Sequence, residues 1–254
     1  MHRAGRAAVL LVSLALAAYG GLVLLDLLAR EEVRTVRTLA MPADRRLAIE
    51  TGSGDVSVVA AAGAPRVELR TQSGLFGAPA LRVAQGADGR VSVETSCGAV
   101  PGLLECSGEL RVLVGEENAV AVDTGSGEVA VLGIRGGVVA KTGSGDVTLA
   151  DVGGAEVRAE TGSGEIGGTG VAARRLWAET GSGDVAMVLT GSPEAATVKT
   201  GSGEVDLTVP DVVYAVSTDT GSGESRVTVR SDANSRRRLR VTTGSGDLRV
   251  APAR

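Results

Sequence analysis

Histidine occurs once in this 254-residue chain, at His2. Beyond the first residues, that scarcity removes imidazole acid–base catalysis, Ser-His and Cys-His nucleophiles and His-ligated zinc. Lysine is nearly as rare, with Lys141 and Lys199 the two copies, and the net charge is −4 with arginine mostly dispersed. Such a chain does not carry the basic footprint of a nucleic-acid-binding protein. The densest basic run, Arg236–Arg238 with Arg240, reads as a solvated loop. Aromatic residues make up 2% of the chain, as Tyr19, Phe76, Trp177 and Tyr214. A globular core of this length would use more, so a narrow interior of Val, Ala, Leu and Thr is expected. The two cysteines, Cys97 and Cys106, form no Cys-x-x-Cys pair. Their spacing predicts one loop-closing disulfide in an exported domain, the alternative being two buried thiols.

Glycine, by contrast, is abundant and ordered. Eight copies of Thr-Gly-Ser-Gly-(Asp/Glu) begin at Thr51, Thr124, Thr142, Thr161, Thr180, Thr200, Thr220 and Thr243, with degenerate copies at Thr71 and Thr95. From Thr124 to Thr220 they recur every 18 to 20 residues. A fixed period of this size marks one structural unit copied along an axis. Before each threonine the sequence alternates polar and apolar, as in Val198-Lys199-Thr200; after the glycines it resumes, as in Val205 and Leu207. A period of two means strands with one buried face. The inward phase steps from the threonine to the fifth residue beyond, an odd number, so each Gly-Ser-Gly must bend or bulge the chain. Second turns are expected at Gly136-Gly137, Gly153-Gly154, Gly167-Gly168 and Gly191-Ser192-Pro193. These features predict an all-β, single-domain parallel β-solenoid with coils of about 19 residues, each stacked over its predecessor at ~4.8 Å. A hairpin sandwich is the competing architecture, but it does not require the same five residues at every corner.

Stacking would place Glu128, Asp146, Glu165, Asp184, Glu204, Glu224 and Asp247 in one column, with Asp55 in the same place of an earlier copy. Adjacent carboxylates ~5 Å apart repel by ~0.9 kcal/mol even in water, so something must offset the charge. One answer is that each carboxylate accepts N–H groups freed by its own glycine corner or splays into solvent. The other is a row of calcium sites, although glycine-rich calcium repeats have a nine-residue period that this chain lacks. One residue before each threonine, Asp123, Lys141, Glu160, Glu179, Lys199 and Asp219 would pair opposite charges between coils except where Glu160 meets Glu179. The glycines do not form a phosphate loop, because no helix and no Lys-Ser/Thr follow them. Neither a catalytic constellation nor a cofactor site is predicted. Threonine and serine hydroxyls are expected to form ladders along the rod.

Residues 7–28 form an apolar run long enough for a transmembrane helix, preceded by a short cytoplasmic tail at 1–6. A cleaved signal peptide is the alternative. A linker at 29–46 and the solenoid at 47–254 would follow, with an irregular insert at 72–117 interrupting the period. The TGSGDV/TGSGEV corners, the bracketing alternating strands and the N-terminal apolar segment resemble the bacterial "putative adhesin" family of β-strand-repeat envelope proteins, from about Leu47 to Val250. That resemblance implies a β-solenoid at the cell surface and transfers no catalytic residues. The expected function is a non-catalytic binding or adhesin-like module, extracytoplasmic on a single-pass membrane anchor. Cell-wall or surface glycans or an envelope protein would be its partners. Two alternatives are an envelope-stress or regulatory protein acting through a membrane partner, and a polysaccharide-active β-helix enzyme.

Overall fold

The computed structural model describes residues 19–21, 31–39, 46–73, 80–85, 91–96 and 108–253. Ten strands precede Gly145: β1 (Glu31–Thr38), β2 (Arg46–Thr51), β3 (Asp55–Ala60), β4 (Arg66–Ser73), β5 (Ala80–Gln85), β6 (Val91–Ser96), β7 (Gly108–Val114), β8 (Ala119–Ser126), β9 (Val129–Leu132) and β10 (Val138–Ser144). Ten follow: β11 (Val147–Ala150), β12 (Gly153–Ser163), β13 (Ile166–Ser182), β14 (Val185–Leu189), β15 (Ala195–Ser202), β16 (Val205–Val209), β17 (Ala215–Ser222), β18 (Ser225–Val227), β19 (Arg238–Ser245) and β20 (Leu248–Pro252).

These strands stack into two faces of a parallel β-solenoid. One face runs β6, β2, β8, β10, β12, β13, β15, β19, β17. The other runs β7, β3, β9, β11, β13, β14, β16, β20, β18. Equivalent residues lie in register: Thr142 faces Thr124 on one side and Thr161 on the other. Alternation does what the sequence predicts, with Val185, Met187 and Leu189 buried in β14 while Ala186 and Val188 face out. Each such aliphatic side chain contributes roughly 1.5–3 kcal/mol by leaving water. Tyr214 is the bulkiest side chain among the fully buried ones.

The phase shift at the corner is made by the second glycine of each motif. Gly145, Gly164, Gly183 and Gly203 have φ of 132°, 149°, 142° and 146°, where a side chain is strained. The opposite bend follows expectation at Gly136-Gly137 and Gly191-Ser192-Pro193, which lie between strands, and Gly137 and Gly154 have positive φ; it differs at Gly167-Gly168. Its positive-φ residues also include Gly133, Asp151 and Gly170, while Gly167 and Gly168 lie inside β13, paired with Thr148 and Leu149.

Chain order is not stacking order at either end of the rod, which corrects the expectation that each coil lies over its predecessor. The Thr51 coil (β2–β3) packs directly on the Thr124 coil, and β6–β7 lies outside it. At the other end the Thr243 coil (β19–β20) is inserted between the Thr200 and Thr220 coils. Interior chemistry explains the insertion. The Thr243 coil carries Leu239, Val241, Leu248 and Val250, all buried, where the Thr220 coil has Val216, Thr218, Ser225 and Val227. A coil with Thr218 and Ser225 inside tolerates water on its outer side, and the Ser225 hydroxyl donates to Thr218 Oγ1 across the lumen at 3.2 Å.

Residues 72–117, expected as an irregular insert, hold one regular coil. Thr95 pairs with Thr51 and Glu109 with Asp55, so Thr95, Gly108 and Glu109 are the threonine, second glycine and acid of a ninth corner. That corner is split in sequence by residues 97–107. Thr71 is no corner: β4 runs antiparallel to β7 and to β1. β1 lies within the stretch expected as linker and is tied down by Arg34 Nη2 on Glu68 Oε2 at 2.7 Å. β5 runs antiparallel on β6. Cys97, Cys106 and most of the apolar run 7–28 lie outside the described residues. Among the described residues no helix is long and apolar enough to cross a membrane.

Candidate binding edge and charged face

The corners form one long edge. Every threonine points inward and most donate their hydroxyl along the axis to the second glycine of the neighbouring coil. Thr161 reaches Gly145 O at 2.8 Å, Thr180 Gly164 O at 2.9 Å, Thr200 Gly183 O at 2.8 Å and Thr243 Gly203 O at 3.0 Å. The bend turns that carbonyl out of the sheet ladder, and the threonine satisfies it. The expected hydroxyl-to-hydroxyl ladder is seen at the edge of the stack, where Thr95 Oγ1 lies 2.6 Å from Thr51 Oγ1. The motif serines are largely exposed and stand in register.

The predicted carboxylate column exists, with corrected membership and order. Following the stack it runs Glu109, Asp55, Glu128, Asp146, Glu165, Asp184, Glu204, Asp247, Glu224. Glu and Asp alternate throughout, and the insertion of the last coil is what separates Glu204 from Glu224. Each aspartate from Asp55 onward accepts the backbone N–H of the next glutamate. Asp55 takes Glu128 N at 3.0 Å, Asp146 takes Glu165 N at 2.8 Å, Asp184 takes Glu204 N at 2.7 Å and Asp247 takes Glu224 N at 2.9 Å. The donors come from the next coil rather than from the carboxylate's own corner. The short Asp side chain spans one rung; Glu, a methylene longer, splays outward. Glu128, Glu165, Glu204 and Glu224 have no side-chain partner among the described residues. N–H donors are the wrong complement for a cation, so the aspartates are occupied as hydrogen-bond acceptors, and no group of acids and cysteines is arranged for a metal among the described residues.

This division of labour predicts opposite salt responses. Glu204→Gln removes repulsion from two neighbours and no hydrogen bond, so it should stabilise at low salt by up to ~1–2 kcal/mol, fading at 1 M NaCl where screening is nearly complete. Asp184→Ala loses a charge-assisted bond of about 1.5–3 kcal/mol, and its cost should grow with salt as the relieved repulsion disappears. Urea titrations at two salt concentrations measure both.

Beside this edge a shallow open groove crosses four coils. Its floor is Gly125, Gly143, Gly162 and Gly181, and Asp123, Lys141, Glu160 and Glu179 line it. The glycines are required here, because a Cβ on Gly162 or Gly181 would sit 2.5 Å from the carbonyl oxygen of the glycine one coil below. The like-charge contact expected between Glu160 and Glu179 is resolved by neighbours. Lys141 Nζ lies 2.9 Å from Glu160, and Arg158 also binds that carboxylate. Glu179 accepts the Trp177 indole N–H at 3.0 Å. Arg158 and Lys199 cover the two sides of the Trp177 ring at 5.2 and 4.7 Å, a paired cation–π contact. Trp177 thus stitches three coils together on the charged face. Sequence reasoning missed this role, although its position two residues before Glu179 and one coil above Arg158 carried the signal.

Burial opposes ionisation of Glu160, but the hydrogen bonds from Arg158 and Lys141 outweigh it and hold the carboxyl below its ordinary value. A lowered native value gives stability that is present above the ordinary carboxyl range and lost as pH falls through the native value. Glu160→Gln should therefore flatten the acid limb of the stability-versus-pH curve below about pH 4.5.

The comparisons with known proteins agree with this architecture. No curated protein matches the chain. Among solved structures, a putative adhesin from Bacteroides fragilis shares 10% identity over 88% of this chain and 97% of its own, with a TM-score of 0.50. A putative adhesin from Parabacteroides merdae shares 12% identity over 88% and 97%, with a TM-score of 0.49. At 10% identity the likeness to the Bacteroides fragilis structure concerns fold alone. The family model described as Toastrack DUF4097 matches residues 37–251, almost the whole coiled region, and the chain is a member of that family.

Proposed function

We propose that this protein is a non-catalytic binding module whose glycine-floored groove receives an extended polymer, a surface glycan or an elongated segment of an envelope protein. The observation that carries the reading is repetition: the groove offers the same Thr-Gly floor on four successive coils, with Asp123, Lys141, Glu160 and Glu179 beside it. One group per ~4.8 Å along a straight axis suits a linear ligand better than a compact substrate. Against an enzyme, the acids are spread one per coil, and four of the nine in the alternating column already accept backbone N–H groups. We further propose that residues 7–28 anchor the rod in the membrane with the coils outside the cytoplasm.

A glycan and protein array probed with residues 31–254 tests the binding reading. Lys141→Glu should weaken any polymer found by tenfold or more, while Arg226→Glu, on the far face, should not. Hydrolysis of a bound polysaccharide would refute it. Export has its own check. Strand pairing brings Thr95 and Glu109 to the two ends of one five-residue corner, and the proposed disulfide joins Cys97 and Cys106, which lie between them in sequence. Alkylation followed by intact-mass analysis should find both thiols protected until reduction.

A further inference from the structure

Two connections cross at one end of the rod. Pro210–Tyr214 leads from β16 to β17, two coils further along the stack, and residues 228–237 lead from β18 back by one coil to β19. The first leaves its face below the second and arrives above it. Connections on one edge of a sheet seldom cross in this way. The inner one is locked: Tyr214 is fully buried and its hydroxyl donates to Pro210 O at 3.1 Å. The outer one is a strap, exposed from Arg230 to Asn234. It is held by Arg230 Nε on Asp211 at 3.0 Å, two backbone bonds with Tyr214 at 3.0 and 2.9 Å, and the Ser235 hydroxyl on Val213 O at 2.9 Å. The coil it delivers is bound very differently. β19 is laddered on both sides over its whole length, and β20 pairs with β16 and β18.

We infer that the slot between the Thr200 and Thr220 coils is an exchange site, and that its second occupant is the Arg238–Pro252 coil of another copy of this chain. The slot is specific, because its register on both faces is set by threonine, serine and glycine columns that the Thr243 coil matches. It also needs aliphatic side chains at the positions of Leu239, Val241, Leu248 and Val250, and the neighbouring Thr220 coil has hydroxyl residues, Thr218 and Ser225, at two of the four. A second copy supplies identical contacts, so exchange costs little beyond releasing the strap. It also removes the crossing: a strap passing to a neighbouring rod no longer doubles back over Pro210–Tyr214. The product is a reciprocal dimer joined at the Thr220 ends of two rods, each still complete.

Ser202 and Ser245 are register partners at the exposed corner, across the slot boundary. The test is the full chain carrying Ser202→Cys and Ser245→Cys with Cys97→Ser and Cys106→Ser. In dilute protein, oxidation should close the 202–245 bond within one chain, which also shows that the variant folds in this register. When the reduced protein is warmed at high concentration and then oxidised, the same bond should join two chains, in a share that rises with concentration and falls when the reduced protein is diluted and rewarmed before oxidation. Mixed dimers of 15N-labelled and unlabelled chains should carry it. A 202–245 bond that stays within one chain at every concentration overturns the inference. So do dimers in which each chain keeps its own bond, since these would form through another surface.

Discussion

Gly164→Ala should lower the melting temperature by roughly 6–12 °C, as an expected loss of about 3 kcal/mol implies for a domain of this size. Two costs combine. Gly164 has φ of 149°, so a side chain there is strained by ~1–3 kcal/mol. The added Cβ would also press on the carbonyl of Gly145 one coil below, the same carbonyl that accepts the Thr161 hydroxyl. Backbone cannot yield there without breaking the column on both sides, and overpacking of this kind costs a further ~1–3 kcal/mol. Gly167→Ala is the control. Nothing lies within 4 Å of a Cβ at Gly167, so the change should be close to neutral. Calorimetry on the two variants and the parent measures the difference.

Leu248→Ser and Ser225→Leu should act in sharply unequal ways, although the two residues hold equivalent places in adjacent coils. Leu248 is 1% exposed between β16 and β18, so replacing it leaves a cavity and a hydroxyl without water, an expected cost of about 3–5 kcal/mol. Ser225 is exposed on the outermost coil, and leucine there should change stability by less than ~0.5 kcal/mol. Sequential stacking would reverse the result, because Ser225 would then be interior and Leu248 would face solvent. Chemical denaturation of both single variants distinguishes the two orders.

The repeat carried most of this fold in plain view. Alternation around each threonine set which residues face inward, and the odd step across Gly-Ser-Gly demanded the bend that the positive-φ glycines make. What the repeat did not carry was the order of the coils. Identical corners bond equally well to any other, so the motif is silent on which lies next to which. The choice falls to side chains outside the motif, Thr218 and Ser225 against Val241 and Leu248, and to its one variable position, the Asp or Glu that ends each corner. In chain order the acids run Asp55, Glu109, Glu128, Asp146, Glu165, Asp184, Glu204, Glu224, Asp247, and the two breaks in alternation, at Glu109–Glu128 and Glu204–Glu224, mark the two ends where the coils change places. The ninth corner was hidden because residues 97–107 interrupt it between Thr95 and Gly108. Trp177 was passed over as a lone aromatic, since its value lies in cations one coil above and below rather than in neighbours along the chain. The groove follows from stacking alone, through glycines that leave the floor bare.

Backbone hydrogen exchange, followed by mass spectrometry, tests the coil order most directly. Residues 238–252 should exchange as slowly as 195–209, because both lie between two laddered neighbours, while 215–227 at the open end should exchange fastest of the three. Protection that falls steadily from 195–209 through 215–227 to 238–252 would contradict this stacking, placing the coils in simple chain order.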